Sequence, residues 1–371
     1  MNEPSDALLV STLRARGPLT RHGLAQVSGL SFATVNRVLP RLVAGGLVRA
    51  VGHELSTGGR PPELFAYDGA GLVIAGVSVT DAGATGLVLT PGGEIVGRYE
   101  EGFAAAVDSE ARLRATVRLL ESIAGQTHGQ LGGIGVGVPG VVSGPAGTVT
   151  AIHEMGWERL ALGEVLNRAA NRPVVLDNDA NCLAVAEHWR GAGRGVDNLV
   201  ALIARNGLGA GLITNGQLYR GLHHEAGEIG YLLTERQSLQ RLFPERGELE
   251  QRIGGGQLLG EARRLGAPEP GQATLPYFIR QGLGAEGPAR DLAEELLDLV
   301  ALAISALCVV LDPEVVILGG DDDRAGTETM IAGVQERLVG RILRVPRLEP
   351  AALGADAVMV GAARLAMPDL V

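Results

Sequence analysis

The feature that most limits the possible folds of this chain is a pattern that occurs twice. Residues 72–96 (LVIAGVSVTDAGATGLVLTPGGEIV) and 199–219 (LVALIARNGLGAGLITNGQLY) each contain an apolar strand, a glycine-containing turn, a second apolar strand and a tight turn before a third strand. Further buried strands are predicted at 134–142 and 315–320, and a long helix at 289–311 follows a Gly-Pro pair. The repetition predicts an α/β protein with two similar lobes and a ligand cleft between them.

A polar corner lies between the two copies of this pattern. Residues 173–187 (PVVLDNDANCLAVAE) read as a buried strand, a polar turn and an alanine-rich helix. Ligands of open α/β sheets bind outside the carboxyl ends of strands, so Asp177, Asn178, Asp179 and Asn181 are candidate ligand-binding residues. The alternative is helix capping, for which Asp and Asn are preferred. One cap needs one side chain, so four converging polar side chains favour a ligand site.

Length and composition restrict the class of protein. A chain of 371 residues predicts two or three domains, and its 55 glycines, about twice the usual share, predict many tight turns. Apolar runs stay well short of the roughly 18 residues of a membrane span, and the N-terminus lacks a secretory pattern, so a soluble cytoplasmic protein without a membrane partner is expected. Cys182 and Cys308 lack metal-ligand spacing, which predicts reduced thiols.

Charge is distributed unevenly along the chain. Residues 1–65 carry seven arginines and four acidic side chains, a net charge of +3, whereas the whole chain carries −10 and contains no lysine. The remainder therefore carries −13. A basic N-terminal segment on an acidic body indicates that only this segment meets a polyanion.

The N-terminal segment reads as three short helices. The first is capped by Asp6 and ends at Gly17-Pro18, the second is capped by Thr20, and the third follows a tight turn at 28–31. Two helices joined by a short glycine-containing turn are the helix-turn-helix pattern. The apolar residues that define the inner faces of these helices are Leu8, Leu9, Leu13, Leu24, Val27, Val35, Val38, Leu39, Leu42 and Val43.

The outer face of the third helix carries short or hydrogen-bond-donating side chains, which suit entry into the major groove of DNA. These predicted DNA-binding residues are Ser31, Ala33, Thr34, Asn36, Arg37 and Arg41. Pro40 removes a backbone hydrogen bond at a cost of roughly 3 kcal/mol in a regular helix. A kink or an early end is therefore expected there, beyond the residues that would touch bases.

Two strand-like runs at 47–51 and 64–67 flank the loop STGGRPP at 56–62, which predicts a hairpin wing. Arg60 at the tip of this wing suits the narrow minor groove of A·T-rich DNA. The alternative is that the same helices and hairpin form a protein-docking module. The helix face, the wing and the charge agree on double-stranded DNA as the partner.

Seven motifs in the remainder of the chain resemble, in order and spacing, those of the ROK family of repressors, open reading frames and sugar kinases. They are GVGVPGVV at 135–142, GW at 156–157, DNDAN at 177–181, GxGxG at 207–211, HEAGEIG at 224–230, GELE at 247–250 and DPEVVILGG at 312–320. The loop STGGRPP resembles the wing of the family's repressor branch. The resemblance implies a duplicated, actin-like sugar-kinase body (ribonuclease H-like), a sugar in the interlobe cleft, and homodimers or homotetramers.

The nucleotide-binding motifs depart from the family's pattern. Its kinases carry Asp-x-Gly-Gly-Thr on the first body strand and Gly-Thr-Gly in a second phosphate loop, where backbone amides hold the phosphates. The matching residues here are Ser78, Thr80, Asp81 and Ala82, and Arg205, Asn206 and Gly207. The first loop loses its metal-binding acid, and the second gains a bulky side chain. We therefore expect no ATP, no other cofactor and no catalysis, although Asp179 matches the family's catalytic base.

The resemblance also implies a structural zinc ion, held by three cysteines and one histidine. The matching residues are Arg241, Phe243, Glu248 and Tyr231, which offer no thiolate or imidazole, so no metal is expected. The sugar-binding positions are partly kept. Asn178, Asp179, Glu228 and Glu250 match the family, whereas Glu154 replaces an asparagine and Tyr231 replaces a histidine. These six are the predicted effector-binding residues, because carboxylates accept hydrogen bonds from sugar hydroxyls.

The sequence thus predicts a winged helix-turn-helix domain at 1–68, a first α/β lobe at 69–180 and a second α/β lobe with dimerisation elements at 181–371. The predicted function is a sugar-responsive transcriptional regulator, a repressor, with a degenerate and non-catalytic kinase-like body. Two alternatives remain open: an active ATP-dependent sugar kinase fused to a DNA-binding domain, with Asp179 catalytic, and a regulator that needs no effector.

Overall fold

The protein is described by a computed structural model. It describes residues 4–44, 47–54, 61–68, 72–103, 108–127, 131–144, 146–152, 155–204, 208–244, 246–254, 258, 274–319 and 323–367. The helices with described bounds are α1 Pro4–Arg16, α2 Arg21–Ser28, α3 Phe32–Ala44, α4 Ser109–Gln126, α5 Leu162–Ala170, α6 Asp179–Arg190, α7 Glu248–Ile253, α8 Leu275–Leu283, α9 Pro288–Leu311, α10 Arg324–Leu338 and α11 Ala357–Leu365. Among the described residues, every helix is either too short or too polar to span a bilayer.

The strands within the described residues form four sheets. They are β1 Leu19–Thr20, β2 Val48–His53, β3 Glu63–Tyr67, β4 Val73–Val79, β5 Gly83–Leu89, β6 Ile95–Gly102, β7 Leu131–Val138, β8 Val142–Ser143, β9 Thr148–Ile152, β10 Trp157–Leu160, β11 Val174–Asn178, β12 Leu199–Ala204, β13 Leu208–Thr214, β14 Gln217–Leu218, β15 Val315–Gly319 and β16 Arg347–Pro350. Two sheets have three strands, in the orders β1-β3-β2 and β10-β9-β8, and two have five strands.

The two five-stranded sheets have the same topology, which confirms the predicted duplication. Their orders are β11-β7-β4-β5-β6 and β16-β15-β12-β13-β14. In each sheet the first strand of the repeat pairs antiparallel with the second and parallel with the next long strand, as β4 does with β5 and β7 and β12 does with β13 and β15. The central strands are apolar and buried along nearly their whole length, because helices cover both faces.

Two strand predictions were partly wrong. The run at 174–178 was predicted to be a buried strand followed by a turn, but β11 lies at the edge of its sheet and Val175 is 39% exposed. An edge strand has a neighbour on one side only, so an apolar run there is only partly covered. No turn intervenes either, since β11 ends at Asn178 and α6 begins at Asp179. The predicted strand at 134–142 also ends earlier, at Val138.

Helices α6 and α11 pack against each other between the two five-stranded sheets. Helix α6 lies on β12 and β13, and α11 lies on β4 and β7. The two helices approach closely, because a Cβ atom at Gly361 would overlap the carbonyl oxygen of Cys182. The C-terminal helix therefore packs on the first sheet, although the second predicted lobe runs to residue 371. The small side chains of AVMVGAARL make this return possible.

The N-terminal segment has a core of its own. Helices α1 to α3 and the β1-β3-β2 sheet enclose Leu9, Val10, Leu13, Leu24, Val35, Val38, Leu39, Leu42, Val48 and Phe65. The predicted cap Thr20 is confirmed, since its side chain accepts a hydrogen bond from the Gly23 amide. Asp6 does not cap α1, which begins at Pro4; it lies buried in the first turn. The α2–α3 turn contains Gly29 with a φ of 71°, as a tight turn requires.

Three side chains of these helices differ from prediction, and so does the length of one helix. Leu8, Val27 and Val43 were predicted to face inward, but they are 40%, 47% and 38% exposed. A core of three short helices buries only a narrow stripe on each, so residues at the margin of the stripe stay in solvent. Of the two outcomes expected at Pro40, a kink or an early end, the early end does not occur, because helix α3 continues to Ala44. The buried side chains of Leu39 and Leu42 hold this last turn against the core despite the missing hydrogen bond.

Candidate functional site

The corner between β11 and α6 carries the first candidate residues. Asn178 caps α6, because its Oδ1 accepts hydrogen bonds from the amides of Ala180 (2.8 Å) and Asn181 (3.3 Å). Its Nδ2 donates to the carbonyl oxygen of Gly140 (3.0 Å). The capping alternative thus describes Asn178, whose side chain is engaged within the protein.

Asp177 and Asn181 are also structural. Asp177 is 6% exposed, and its Oδ1 accepts hydrogen bonds from its neighbour's amide and from Asn181 Nδ2, each at 2.8 Å. Its Oδ2 accepts two hydrogen bonds from Arg220, from Nε at 3.0 Å and from Nη2 at 2.6 Å. Asp179 is less buried than Asp177, and its Oδ1 accepts a hydrogen bond from the Ala180 amide at 2.8 Å.

Asp179 belongs to a cluster of carboxylates. Burial raises the pKa of Glu228 from 4.5 to about 7, and the negative charges of Asp179, Glu250 and Glu225 act in the same direction. Three of the predicted effector-binding residues are therefore brought together from three elements, at the start of α6, after β14 and within α7. A basic residue lies beside this cluster, since Nη1 of Arg246 is 3.9 Å from Oε1 of Glu250.

Tyr231 lies at the margin of the same cluster. It is 50% exposed, and partial burial raises its pKa, together with the charges of Glu250, Glu228 and Glu225. The structure thus places the phenol beside the carboxylates, where it remains neutral at physiological pH. Glu154, the sixth predicted effector-binding residue, lies outside the described residues.

The residues at the positions of the family's zinc do not fit a zinc ion. Arg241 is exposed, and Glu248 accepts hydrogen bonds from the amide of Thr234 (2.7 Å) and from its hydroxyl (2.6 Å). Burial works to raise the pKa of Glu248, but these hydrogen bonds and the charge of Arg252 outweigh it and hold the pKa below its usual value. Within the described part of the chain, no group of three His, Cys, Asp or Glu residues is arranged to hold a metal ion.

The β4–β5 turn fits a nucleotide phosphate poorly. The amide of Thr80 donates to the carbonyl oxygen of Gly83 at 2.8 Å, and the Thr80 hydroxyl donates to the same oxygen at 3.2 Å. Asp81 is exposed at the tip of this turn and adds a negative charge. Ser78, which stands where the kinases have an acid, is buried. The second phosphate loop at 205–207 lies outside the described residues.

The outer face of α3 is the second candidate region. Ser31, Ala33, Asn36 and Arg37 are exposed and Thr34 is half-buried, as predicted for a helix that presents one face to solvent. Ser31 also caps the helix, because its Oγ accepts a hydrogen bond from the Thr34 amide (3.1 Å).

Arg41 was predicted to lie on this face, but the structure places it against α1. Its Nη2 donates to Oδ1 of the buried Asp6 at 2.9 Å. A buried carboxylate needs a cationic partner, so this contact binds α3 to α1. Strands β2 and β3 form the predicted hairpin, which is closed where the Glu54 amide donates to the Pro62 carbonyl at 2.9 Å. Arg60, in the predicted wing tip, lies outside the described residues.

Sequence reasoning missed Arg220 and Glu225. Arg220 follows β14 and belongs to none of the seven motifs, whereas Glu225 is the second residue of HEAGEIG at 224–230 but was not assigned a role. For Arg220 the available signal was a cationic residue a few positions before this acidic motif.

Comparison with known proteins gives one family and two kinds of relative. A family model described as the ROK family matches residues 80–368. The xylose repressor of Caldicellulosiruptor bescii is 27% identical over 325 residues, which cover 84% of this chain and 82% of the repressor.

A regulator and a kinase are among the solved structures that share the fold. A ROK family transcriptional regulator, described as a homologue of the E. coli MLC protein, has a TM-score of 0.73 at 21% identity and covers 96% of this chain and 94% of its own. A ROK glucokinase from Streptomyces griseus, solved with glucose and AMPPNP, has a TM-score of 0.65 at 25% identity and covers 79% of this chain and 99% of its own. The regulator thus covers about a sixth more of this chain than the glucokinase does. Residues 1–68 make up a similar fraction of the chain.

Proposed function

Because the chain belongs to the ROK family, we propose that it is a sugar-responsive, DNA-binding transcriptional regulator that acts as a repressor. The observation that carries this proposal is the extent of the match. The regulator's fold accounts for 96% of the chain, whereas the glucokinase's fold accounts for 79%. The additional part corresponds in length to the N-terminal segment, which a kinase does not need.

The N-terminal segment is proposed to be a winged helix-turn-helix domain. Its support is the turn at Gly29 between α2 and α3, the exposed outer face of α3, and the β2–β3 hairpin that follows. Arg37 on that face is proposed to contact bases or phosphates, and Arg60 is proposed to enter the minor groove. The partner is double-stranded DNA, and the cytoplasm is therefore the expected compartment.

The body is proposed to bind a neutral sugar without phosphorylating it. Asp179, Glu228 and Glu250 offer several acceptor oxygens, which suit the hydroxyl groups of a polyol. Xylose, the sugar in the name of the C. bescii repressor, is the first candidate. Catalysis is disfavoured because phosphoryl transfer depends on positioning and charge neutralisation, and the β4–β5 turn offers an exposed carboxylate instead.

The proposed assembly is a homodimer or homotetramer. Two DNA-binding domains related by a two-fold axis would read a palindromic operator whose half-sites lie about one helical turn apart, or a multiple of it. If the lobes adopt two arrangements, an effector would change operator affinity only by as much as the effector's own affinities for the two arrangements differ.

Two assays on the full chain test the proposal. A mobility-shift assay at controlled ionic strength compares wild type with Arg37→Ala and Arg60→Ala, and each variant is expected to bind operator DNA more weakly. Unchanged affinity in both variants would remove the proposed contact surface. A coupled assay of ADP release across pentoses and hexoses is expected to show no turnover.

The kinase alternative keeps a specific observation in its favour, namely Asp179 at the base position. Turnover in wild type that disappears in Asp179→Asn would establish the kinase and overturn the non-catalytic body. Calorimetry without heat for any sugar would instead favour a regulator that needs no effector.

A further inference from the structure

An ion pair connects the two halves of the body beside the carboxylate cluster. Asp177 lies in β11 of the first five-stranded sheet, and Arg220 follows β14 of the second. Arg220 donates from Nε and Nη2 to the same carboxylate oxygen, at 3.0 and 2.6 Å. The carboxylate side chain is 8% exposed and the arginine side chain 32%. Such a shielded, charge-assisted contact is stronger and better defined in geometry than a surface ion pair.

The same carboxylate also fixes the start of α6. Its other oxygen accepts hydrogen bonds from Asn181 Nδ2 and from the Asn178 amide, both at 2.8 Å. Asp177 therefore holds β11, the first turn of α6 and the segment after β14 in one arrangement. This point is where the chain passes from the first sheet to a helix that packs on the second.

Each partner of the ion pair is tied by a short path to one acid of the cluster. Asp179 lies two residues beyond Asp177. On the other side, the carbonyl oxygen of Arg220 accepts a hydrogen bond from the Ala226 amide (3.1 Å), and Glu228 lies two residues beyond Ala226. The contact between Asp177 and Arg220 thus limits how far Asp179 and Glu228 can move apart.

The cluster itself favours separation. Glu228 is faced by Asp179 from α6, by Glu250 from α7 and by Glu225 from its own loop, all of them acidic. Tyr231 lies beside them, and Arg246 is paired with Glu250 at 3.9 Å. Like charges at short range repel once Glu228 has lost its proton, and the contact between Asp177 and Arg220 opposes the resulting separation.

We infer that Arg220 is a positioning residue, whose ion pair with Asp177 keeps Asp179 and Glu228 at the separation that a ligand in the cleft requires. The inference rests on the proposed function for the identity of that ligand as an effector. The positioning role itself can be measured without any sugar.

The first experiment follows the titration of the Glu228 side chain in Arg220→Gln. The full chain is labelled with ¹³C at glutamate carboxyl carbons, and the Glu228 signal is assigned by its loss in Glu228→Gln. Two effects of removing the arginine have opposite signs. Loss of a nearby positive charge raises the pKa of a carboxyl group, whereas separation from Asp179 lowers it.

We expect the midpoint for Glu228 to fall from about 7 toward the ordinary value of a glutamate, with Arg220→Lys intermediate. Arg98→Gln is the matched control, because Arg98 also makes two hydrogen bonds to one aspartate, Asp356, at 2.8 and 2.7 Å. An unchanged or higher midpoint in Arg220→Gln, with the control unchanged, would overturn the inference. If Arg220→Gln does not fold, Arg220→Lys decides by the same criterion.

The second experiment measures D-xylose and D-glucose binding by calorimetry. If wild type binds either sugar, we expect about a tenfold weaker affinity in Arg220→Gln, a smaller loss in Arg220→Lys and none in Arg98→Gln. Equal affinity in all variants would overturn the positioning role. If wild type binds no sugar, the proposed effector function fails, and the carboxyl titration alone still decides the role of Arg220.

Discussion

The outer face of α3 and the carboxylates of the predicted cleft at Asp179 differ in charge. The exposed residues of the α3 face are Ser31, Ala33, Asn36 and Arg37, which include no acid. At the predicted cleft Asp179, Glu228 and Glu250 lie together, and burial, with the charges of the acidic neighbours, raises the pKa of Glu228 to about 7. One chain thus carries a helix face whose exposed side chains include no acid and a cluster of three acidic side chains. The net charge of −10 describes neither region.

The two regions also rest on different cores. The core below α3 is built from residues up to Phe65, with Tyr67 packed at its edge, whereas the cleft rests on the apolar clusters of the body. A change in one core is therefore expected to leave the other region folded. Four predictions test this separation, in order of expected effect.

The largest effect is expected from Leu39→Ala. Leu39 is fully buried in the core of the N-terminal segment, and truncation of such a leucine costs about 3 kcal/mol. Urea unfolding followed by circular dichroism should show an earlier transition for this segment and an unchanged one for the body. Leu296 in α9 is also buried, so Leu296→Ala is the control. For this variant we expect an earlier transition of the body and an unchanged transition of the N-terminal segment. One shared transition that moves in both variants would contradict separate cores.

Arg41→Ala is expected to act on stability and not on DNA contacts. The variant leaves the carboxylate of Asp6, which is 2% exposed, without its guanidinium partner. Because Arg41 itself is partly exposed, we expect a loss of about 2 kcal/mol in the free energy of unfolding. The double variant with Asp6→Asn should recover most of the loss. Reduced operator affinity at unchanged stability would place Arg41 on the DNA-binding face after all.

Glu228→Gln tests the charge of the cleft. A carboxyl group with a raised pKa favours the folded state below its unfolded value of 4.5, and this contribution is lost as pH rises to about 7. The glutamine variant does not titrate, so its stability lacks this dependence on pH. We therefore expect the free energy of unfolding of the variant, relative to that of wild type, to rise by about 2 kcal/mol between pH 4.5 and 8, after allowance for partial exposure. Parallel stability curves over this range would mean that Glu228 titrates normally.

Arg37→Ala is expected to have the smallest effect on energy but the most specific one. We expect about tenfold weaker operator binding, or about 1.4 kcal/mol, at unchanged stability. If Arg37 contacts a phosphate, the slope of log affinity against log salt should also decrease by about 1. Arg324→Ala is the control, because Arg324 is an exposed arginine of α10 in the body. Equal losses in both variants would indicate a general charge effect.

Much of the body could be predicted from sequence because its strands are long apolar runs between turn residues. The two repeats, the strand at 315–319 and the helix that begins at Pro288 follow from local patterns. The position of β11 at a sheet edge could not be predicted, because an apolar run carries no signal about its neighbours. The exposure of Val27 depends likewise on how wide the core below it is.

The acids of the cleft could be predicted only from motifs, and their supporting contacts could not be predicted at all. The ion pair between Asp177 and Arg220 joins residues 43 positions apart. Glu187 is a second case, since it is fully buried and accepts hydrogen bonds from the amides of Ala192, Ala352 and Leu353. Both depend on how the two sheets pack, which spacing along the chain does not encode.

The most direct test of a two-site regulator measures both sites together. An operator is selected from a pool of random duplexes, labelled with a fluorophore, and titrated with the full chain at fixed ionic strength, with and without D-xylose and a panel of other sugars. We predict specific binding that at least one sugar changes by fivefold or more, the range of a typical coupling free energy. Binding that ignores both base sequence and every sugar would contradict the account.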